Sequence, residues 1–184
     1  MNILLHSLES YSTATISILD ATIPVHDYVP LDLSKNNREL IDLDITDYSV
    51  CQDYIDKVLK DNNGSIAYGG YLEQRNLYSD KDGFTSNNRP IRDIHLGIDF
   101  WCIAGTKVIV PIDGTVHSFK NNNTIGDYGP TIILKHVLNN TSFYSLYGHL
   151  SEDSLAGLEK GKEFKAGNQL AVLGTPEINV NYAP

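Results

Sequence analysis

Apolar and polar positions change rhythm along this 184-residue chain, helical in one stretch of the first half and strand-like after Ile91. Val50, Cys51, Tyr54, Ile55, Val58 and Leu59 recur at the spacing of one helical face. With Ser49 as N-cap and Asn62-Asn63-Gly64 as the stop, they predict a helix over about 49–61. After Ile91 come short β-branched runs separated by Gly, Pro, Asn or Asp. They predict strands at 94–101, 107–112, 114–120, 131–137, 142–150 and 169–173. Evenly spaced short strands favour an antiparallel sheet or sandwich over alternating βαβ units. The expected fold class is therefore α+β and mainly β. Residues 1–88 would be a mixed N-terminal extension carrying the one helix, and 89–184 the β domain.

The rest of the first half is less regular. Residues 1–45 carry short apolar runs broken by Pro24 and Pro30, and Leu31 to Asp42 fits either a short helix or a strand. The Ala67-Tyr68-Gly69-Gly70-Tyr71-Leu72 stretch reads as a turn leading into an extended segment, and Asn76 to Arg89 as an exposed polar loop. Pro111-Ile112-Asp113-Gly114 and Gly126-Asp127-Tyr128-Gly129-Pro130 are turn signals between strands.

Composition narrows the function classes. A formal net charge of −9 with no basic stripe argues against nucleic acid as a partner. No apolar run reaches the roughly 18–20 residues that span a bilayer. The N-terminal Met1-Asn2-Ile3-Leu4-Leu5-His6 lacks the basic and apolar regions of a signal peptide. The expectation is a cytoplasmic chain, or a cell-envelope protein whose signal was removed. Cys51 and Cys102 stand apart in apolar surroundings and are expected to be buried free thiols.

Chemistry concentrates in Ile94-His95-Leu96-Gly97-Ile98-Asp99-Phe100-Trp101 and Tyr147-Gly148-His149-Leu150. Imidazole and carboxylate are donors that zinc takes in open, catalytic sites. In a straight strand His95 and Asp99 would share a face but lie about 13 Å apart. Two ligands of one zinc must approach within about 3–4 Å, so the chain has to bend between them. Gly97 is where it can do so without a Cβ penalty. Alone, a His and an Asp at this spacing are more often unrelated surface or core residues.

The surrounding motifs change that balance. His95-x-x-x-Asp99 is followed by Gly105-Thr106-Lys107-Val108-Ile109-Val110-Pro111-Ile112-Asp113-Gly114-Thr115-Val116, then Tyr147-Gly148-His149-Leu150-Ser151, then the glycine-punctuated run Gly161 to Gly174. In this order and spacing they resemble the lysostaphin-like (LytM-type) zinc metallo-endopeptidases, over residues about 89–184, with Val110 where an alanine is usual. The resemblance implies a duplicated-hybrid-motif-like antiparallel β catalytic domain, Zn2+ as cofactor, and peptidoglycan stem peptides or cross-bridges as substrate. It implies His95 and Asp99 as zinc ligands and His149 as the catalytic histidine. Zinc would lower the pKa of its water and polarise the scissile carbonyl, while His149 orients that water or stabilises the oxyanion. The family's third ligand comes from a His-x-His pair, expected to begin where the sequence reaches Asn181-Tyr182-Ala183-Pro184.

His136 is the better candidate for a supporting contact around the metal, and His117 the weaker one. His6 and His26 have no chemical context. Two other classes compete with the peptidase. One is a catalytically inactive relative that binds or regulates. The other is a biotinyl or lipoyl carrier, disfavoured because no Met-Lys-Met or Asp-Lys-Ala tip is present.

Overall fold

A computed structural model describes residues 8–9, 11, 17–75, 93–124 and 127–178. Asn76 to Arg89, His6 and the last six residues lie outside the described residues. What is described falls into two compact units. One spans Ile23–Ile103, and the other joins the described part of Met1–Thr22 to Ala104–Val180. Among the described residues the chain is mainly β with one long helix, as the sequence pattern predicts.

In the unit of Ile23–Ile103, β1 (Tyr28–Pro30) pairs in parallel with β2 (Ile66–Gly69), which pairs antiparallel with β3 (Asp99–Trp101). Helix α1 (Tyr48–Asp61) lays Cys51, Tyr54 and Ile55 into a core with Leu31, Leu33, Leu40, Ile45, Ala67 and Trp101. The helix lies where its periodicity places it, but its cap is two residues earlier. Asp47, not Ser49, is the N-cap, and its carboxylate accepts from the Ser49 backbone N–H at 2.8 Å. At the other end Asn63 takes a left-handed φ of 53°, and the Gly64 N–H returns to Leu59 O at 2.9 Å. That is a Schellman closure of the last turn. A side chain at Gly64 would meet Val29 Cγ2 at 2.2 Å, so glycine there lets β1 approach the helix end.

Strand β3 begins only at Asp99, so the predicted 94–101 strand is shorter than expected. Residues 94–98 instead run beside the chain around Gln74, through an isolated bridge between Gln74 and Ile94. The glycine-aromatic stretch also comes in reverse order. It is extended through Gly69, then turns at Gly70, whose φ is +99°.

The second unit is built on a four-stranded antiparallel sheet. Its strands are β5 (Gly114–Asn122), β6 (Gly129–Leu138), β7 (Thr141–Tyr147) and β8 (Glu163–Phe164), ordered β7-β6-β5-β8. A separate pair joins β4 (Lys107–Ile109) to β9 (Gln169–Val172). Val108, Val110, Val116, Ile132, Leu134, Leu150, Leu170 and Leu173 are buried. Strand β6 is buried over most of its length, whereas β7 alternates half-buried and exposed positions, as a strand with one wet face should. His117 is the extra residue of a bulge in β5, between the pairs Val116–Leu134 and Ser118–Ile133.

Candidate functional site

Within the unit of Ile23–Ile103, His95 and Asp99 come together. His95 Nε2 stands 3.4 Å from Asp99 Oδ1, far closer than a straight strand would allow. The bend lies at Gly97, but glycine's contribution is space rather than a left-handed φ. A Cβ at Gly97 would sit 3.2 Å from His95 Cε1 and 3.3 Å from Nε2, crowding the atom that faces the carboxylate.

Each side chain is held from behind. His95 Nδ1 lies 3.0 Å from the Gly70 carbonyl. A carbonyl only accepts, so Nδ1 carries the proton and Nε2 of the neutral ring keeps its lone pair. Gly70 must be glycine for this. Its φ is positive, and a Cβ would lie 2.3 Å from Arg75 Nη2 and 2.7 Å from His95 Nδ1. Asp99 Oδ2 accepts from Arg75 Nη1 at 2.6 Å, while Arg75 Nε donates to Glu73 Oε2. Glu73 Oε1 in turn accepts the Leu33 N–H at 2.9 Å. Arg75 is only 2% exposed, with its guanidinium carbon 5.6 Å over the Trp101 ring. Burial works against its charge, but the carboxylates of Asp99 and Glu73 outweigh that and hold it protonated beyond the usual arginine range. Burial likewise pushes the Cys51 thiol up to about 11, with the Arg75 charge opposing.

Backbone pairing sets this register. The Arg75 N–H donates to Asp93 O at 2.7 Å and the His95 N–H to Glu73 O at 2.9 Å. Lys35 Nζ closes the edge with a 2.7 Å ion pair to Asp93. Glu73, Arg75 and the Gly70 carbonyl went unnoticed in the sequence. Only the pairing of 73–75 with 93–95 makes them neighbours of the pair.

In the unit of Ala104–Val180, His149 sits just past β7 with a φ of 55°, unusual for a residue with a Cβ. Hydrogen bonds on both sides hold it there. Its N–H donates to Tyr128 O at 2.7 Å, and its carbonyl accepts from the Gly174 N–H at 3.0 Å. The rings of Tyr128 and His149 lie 6.2 Å apart. A residue pinned in a sparsely populated conformation between two loops fits a side chain whose direction matters.

His136 is placed differently. It is 1% exposed, with Nδ1 at 2.9 Å from Asp113 O and Nε2 at 2.7 Å from Ser145 Oγ. Its ring stacks on Phe143 at 4.9 Å, and a Cβ at Gly114 would meet it at 2.8 Å. His149 is hydrogen-bonded to Tyr128 and followed by a bond from Leu150 to Pro130, six residues before His136 on β6. Six strand residues span about 20 Å, so the fold does not bring these two histidines together. His117 is exposed, 3.0 Å from Ser118 Oγ and edge-on to Tyr144. His26 is exposed beside Asp27. Cys51 is buried and Cys102 half-buried, and neither forms a disulfide among the described residues. Among the described residues no group of three or more His, Cys, Asp or Glu side chains is placed to hold a metal.

No curated protein and no solved structure matches the chain. A family model does match, described as Peptidase family M23, over residues 93–181, a little under half of the chain. The matched stretch contains His95, Asp99 and His149, and it agrees with the lysostaphin-type motifs. Residues 93–181 of this chain match the model of peptidase family M23, consistent with a LytM-type domain.

Proposed function

We propose that this protein is a zinc-dependent endopeptidase that cuts peptide bonds in peptidoglycan stem peptides or cross-bridges. In this reading His95 and Asp99 hold the metal and His149 is the catalytic histidine. The observation that carries it is the 3.4 Å approach of His95 Nε2 to Asp99 Oδ1. Two donors each about 2 Å from a tetrahedral zinc lie about 3.3 Å apart, so this pair has the bite the ion needs. The Nδ1 contact to the Gly70 carbonyl supports it as well, because a metal-ligating imidazole usually donates its other N–H in this way. The residues present fit zinc as one half of its ligand set.

Bound zinc would act as a Lewis acid on the scissile carbonyl and make water a competent nucleophile near neutral pH. The chain's own groups do the rest. His95 and Asp99 would hold the ion. The imidazole of His149, on its pinned backbone, orients the attacking water or donates to the developing oxyanion and the leaving amine. No acyl-enzyme is required, so no serine or cysteine nucleophile is needed.

The test uses purified peptidoglycan and a synthetic cross-bridge peptide. Hydrolysis should stop on chelation and return with zinc. His149→Ala should keep zinc while its cleavage rate falls about 100-fold or more. Peptide binding with no cleavage by the zinc-loaded protein would instead support a binding or regulatory module.

A further inference from the structure

We propose that Arg75 is a positioning residue for the metal pair, and that the segment before the family match supplies it. This rests on the reading of His95 and Asp99 as metal ligands. The family match begins at residue 93, yet the groups that fix both side chains come from residues 70–75. One hydrogen-bonded path runs from the Leu33 N–H through Glu73 and Arg75 to Asp99 Oδ2. A second path runs from the Gly70 carbonyl to His95 Nδ1.

Two physical consequences follow. First, Arg75 occupies Oδ2, so Asp99 presents Oδ1 toward His95 Nε2 and would offer that one oxygen to a metal. A free carboxylate can rotate and offer both oxygens. This one is tied to a guanidinium that is itself buried, lying over the Trp101 ring and braced by Glu73. Second, one cation between two carboxylates leaves the cluster one formal negative charge. A lone Arg75–Asp99 pair would be neutral and a poorer host for a dication. Glu73 therefore has a purpose besides bracing, since it offsets the charge that Arg75 brings close to the metal.

Lysine cannot reproduce this arrangement, because its single ammonium has no planar fork to span Glu73 and Asp99 together. Arg75→Lys should therefore weaken zinc binding by the 10–100-fold typical of lost supporting contacts, measured by competition with a chromophoric chelator. Glu73→Gln leaves the arginine in place and should cause a smaller loss in the same direction. Near-UV circular dichroism of the metal-free variants shows whether each is folded, and Glu73→Gln keeps the proposal testable if Arg75→Lys is not.

Cobalt(II) in place of zinc gives a readout that a merely structural role would not move. Its visible d–d bands should weaken in Arg75→Lys, as Asp99 gains freedom to ligate through both oxygens and the coordination number rises. Folded variants with unchanged zinc affinity and unchanged cobalt spectra would overturn the role of Arg75 while leaving the metal assignment intact. Tighter zinc binding in Arg75→Lys would overturn it too, showing that the guanidinium merely repels the ion. A wild-type chain that takes up no zinc would defeat both readings.

Discussion

His95 and His136 share one half of their environment and differ in the other. Each places Nδ1 against a backbone carbonyl, Gly70 O at 3.0 Å and Asp113 O at 2.9 Å. At His136 the remaining nitrogen meets the Ser145 hydroxyl at 2.7 Å, so both ring nitrogens are spent inside the sheet. At His95 it faces a carboxylate whose second oxygen is already taken by a buried arginine. An identical anchor thus serves a histidine bonded through both nitrogens inside the sheet in one unit and a histidine facing a carboxylate in the other. What separates them is the partner of Nε2, and that partner is set by tertiary pairing rather than by local sequence.

The comparison can be broken from the structural side first. His136→Ala removes a buried ring and leaves the Asp113 carbonyl and Ser145 hydroxyl without it, which should cost about 2–4 kcal/mol in urea unfolding. Metal uptake by the folded fraction should not change. Gly114→Ala drives a methyl to 2.8 Å from the same ring and should cost about 1–3 kcal/mol.

Gly70→Ala tests the other histidine. Its positive φ and the 2.7 Å approach to His95 Nδ1 predict a loss of about 1–2 kcal/mol. Unlike Gly114→Ala, it should also weaken zinc binding, and equal zinc affinity in the two alanine variants would undo the distinction.

Acid acts on the structural side through Asp113. The Ala166 backbone N–H, and then Lys165, hold the Asp113 carboxyl below its usual 3.8. A group with a depressed folded pKa contributes its full stability above the unfolded value and loses it as pH falls through the folded one. Asp113→Asn should therefore flatten the acid limb of a stability profile below about pH 4. The exposed bulge residue His117 should give the smallest effect. His117→Ala is expected to stay within about 0.5 kcal/mol of wild type and to leave zinc binding untouched.

Much of this was legible in the chain. Helix α1 followed its apolar periodicity, and strands β4 to β7 and β9 fell in their β-branched runs. The His95–Asp99 pair and the later motifs were visible as spacing. The parts that escaped depend on contacts between distant segments. Arg75 and Glu73 looked like polar residues ahead of a loop, because nothing local shows that 73–75 will pair with 93–95. Ser49 adjoins the first apolar residue and so reads as the cap, yet Asp47, two residues earlier, caps the helix by accepting from the Ser49 N–H. The two-residue strand β8 is too short to leave a period, and it forms only because Gly114 and Thr115 offer an edge. The left-handed backbone of His149 had no sequence signal, since histidine does not advertise a positive φ as glycine does.

The most direct test of the central claim is zinc retention after exhaustive dialysis, measured side by side for wild type, His95→Ala and His136→Gln. Glutamine can keep hydrogen bonds to Asp113 O and Ser145, so the second variant spares the sheet. The His95–Asp99 assignment predicts that wild type and His136→Gln retain zinc to the same degree while His95→Ala loses it. Retention by His95→Ala, or loss confined to His136→Gln, would contradict it.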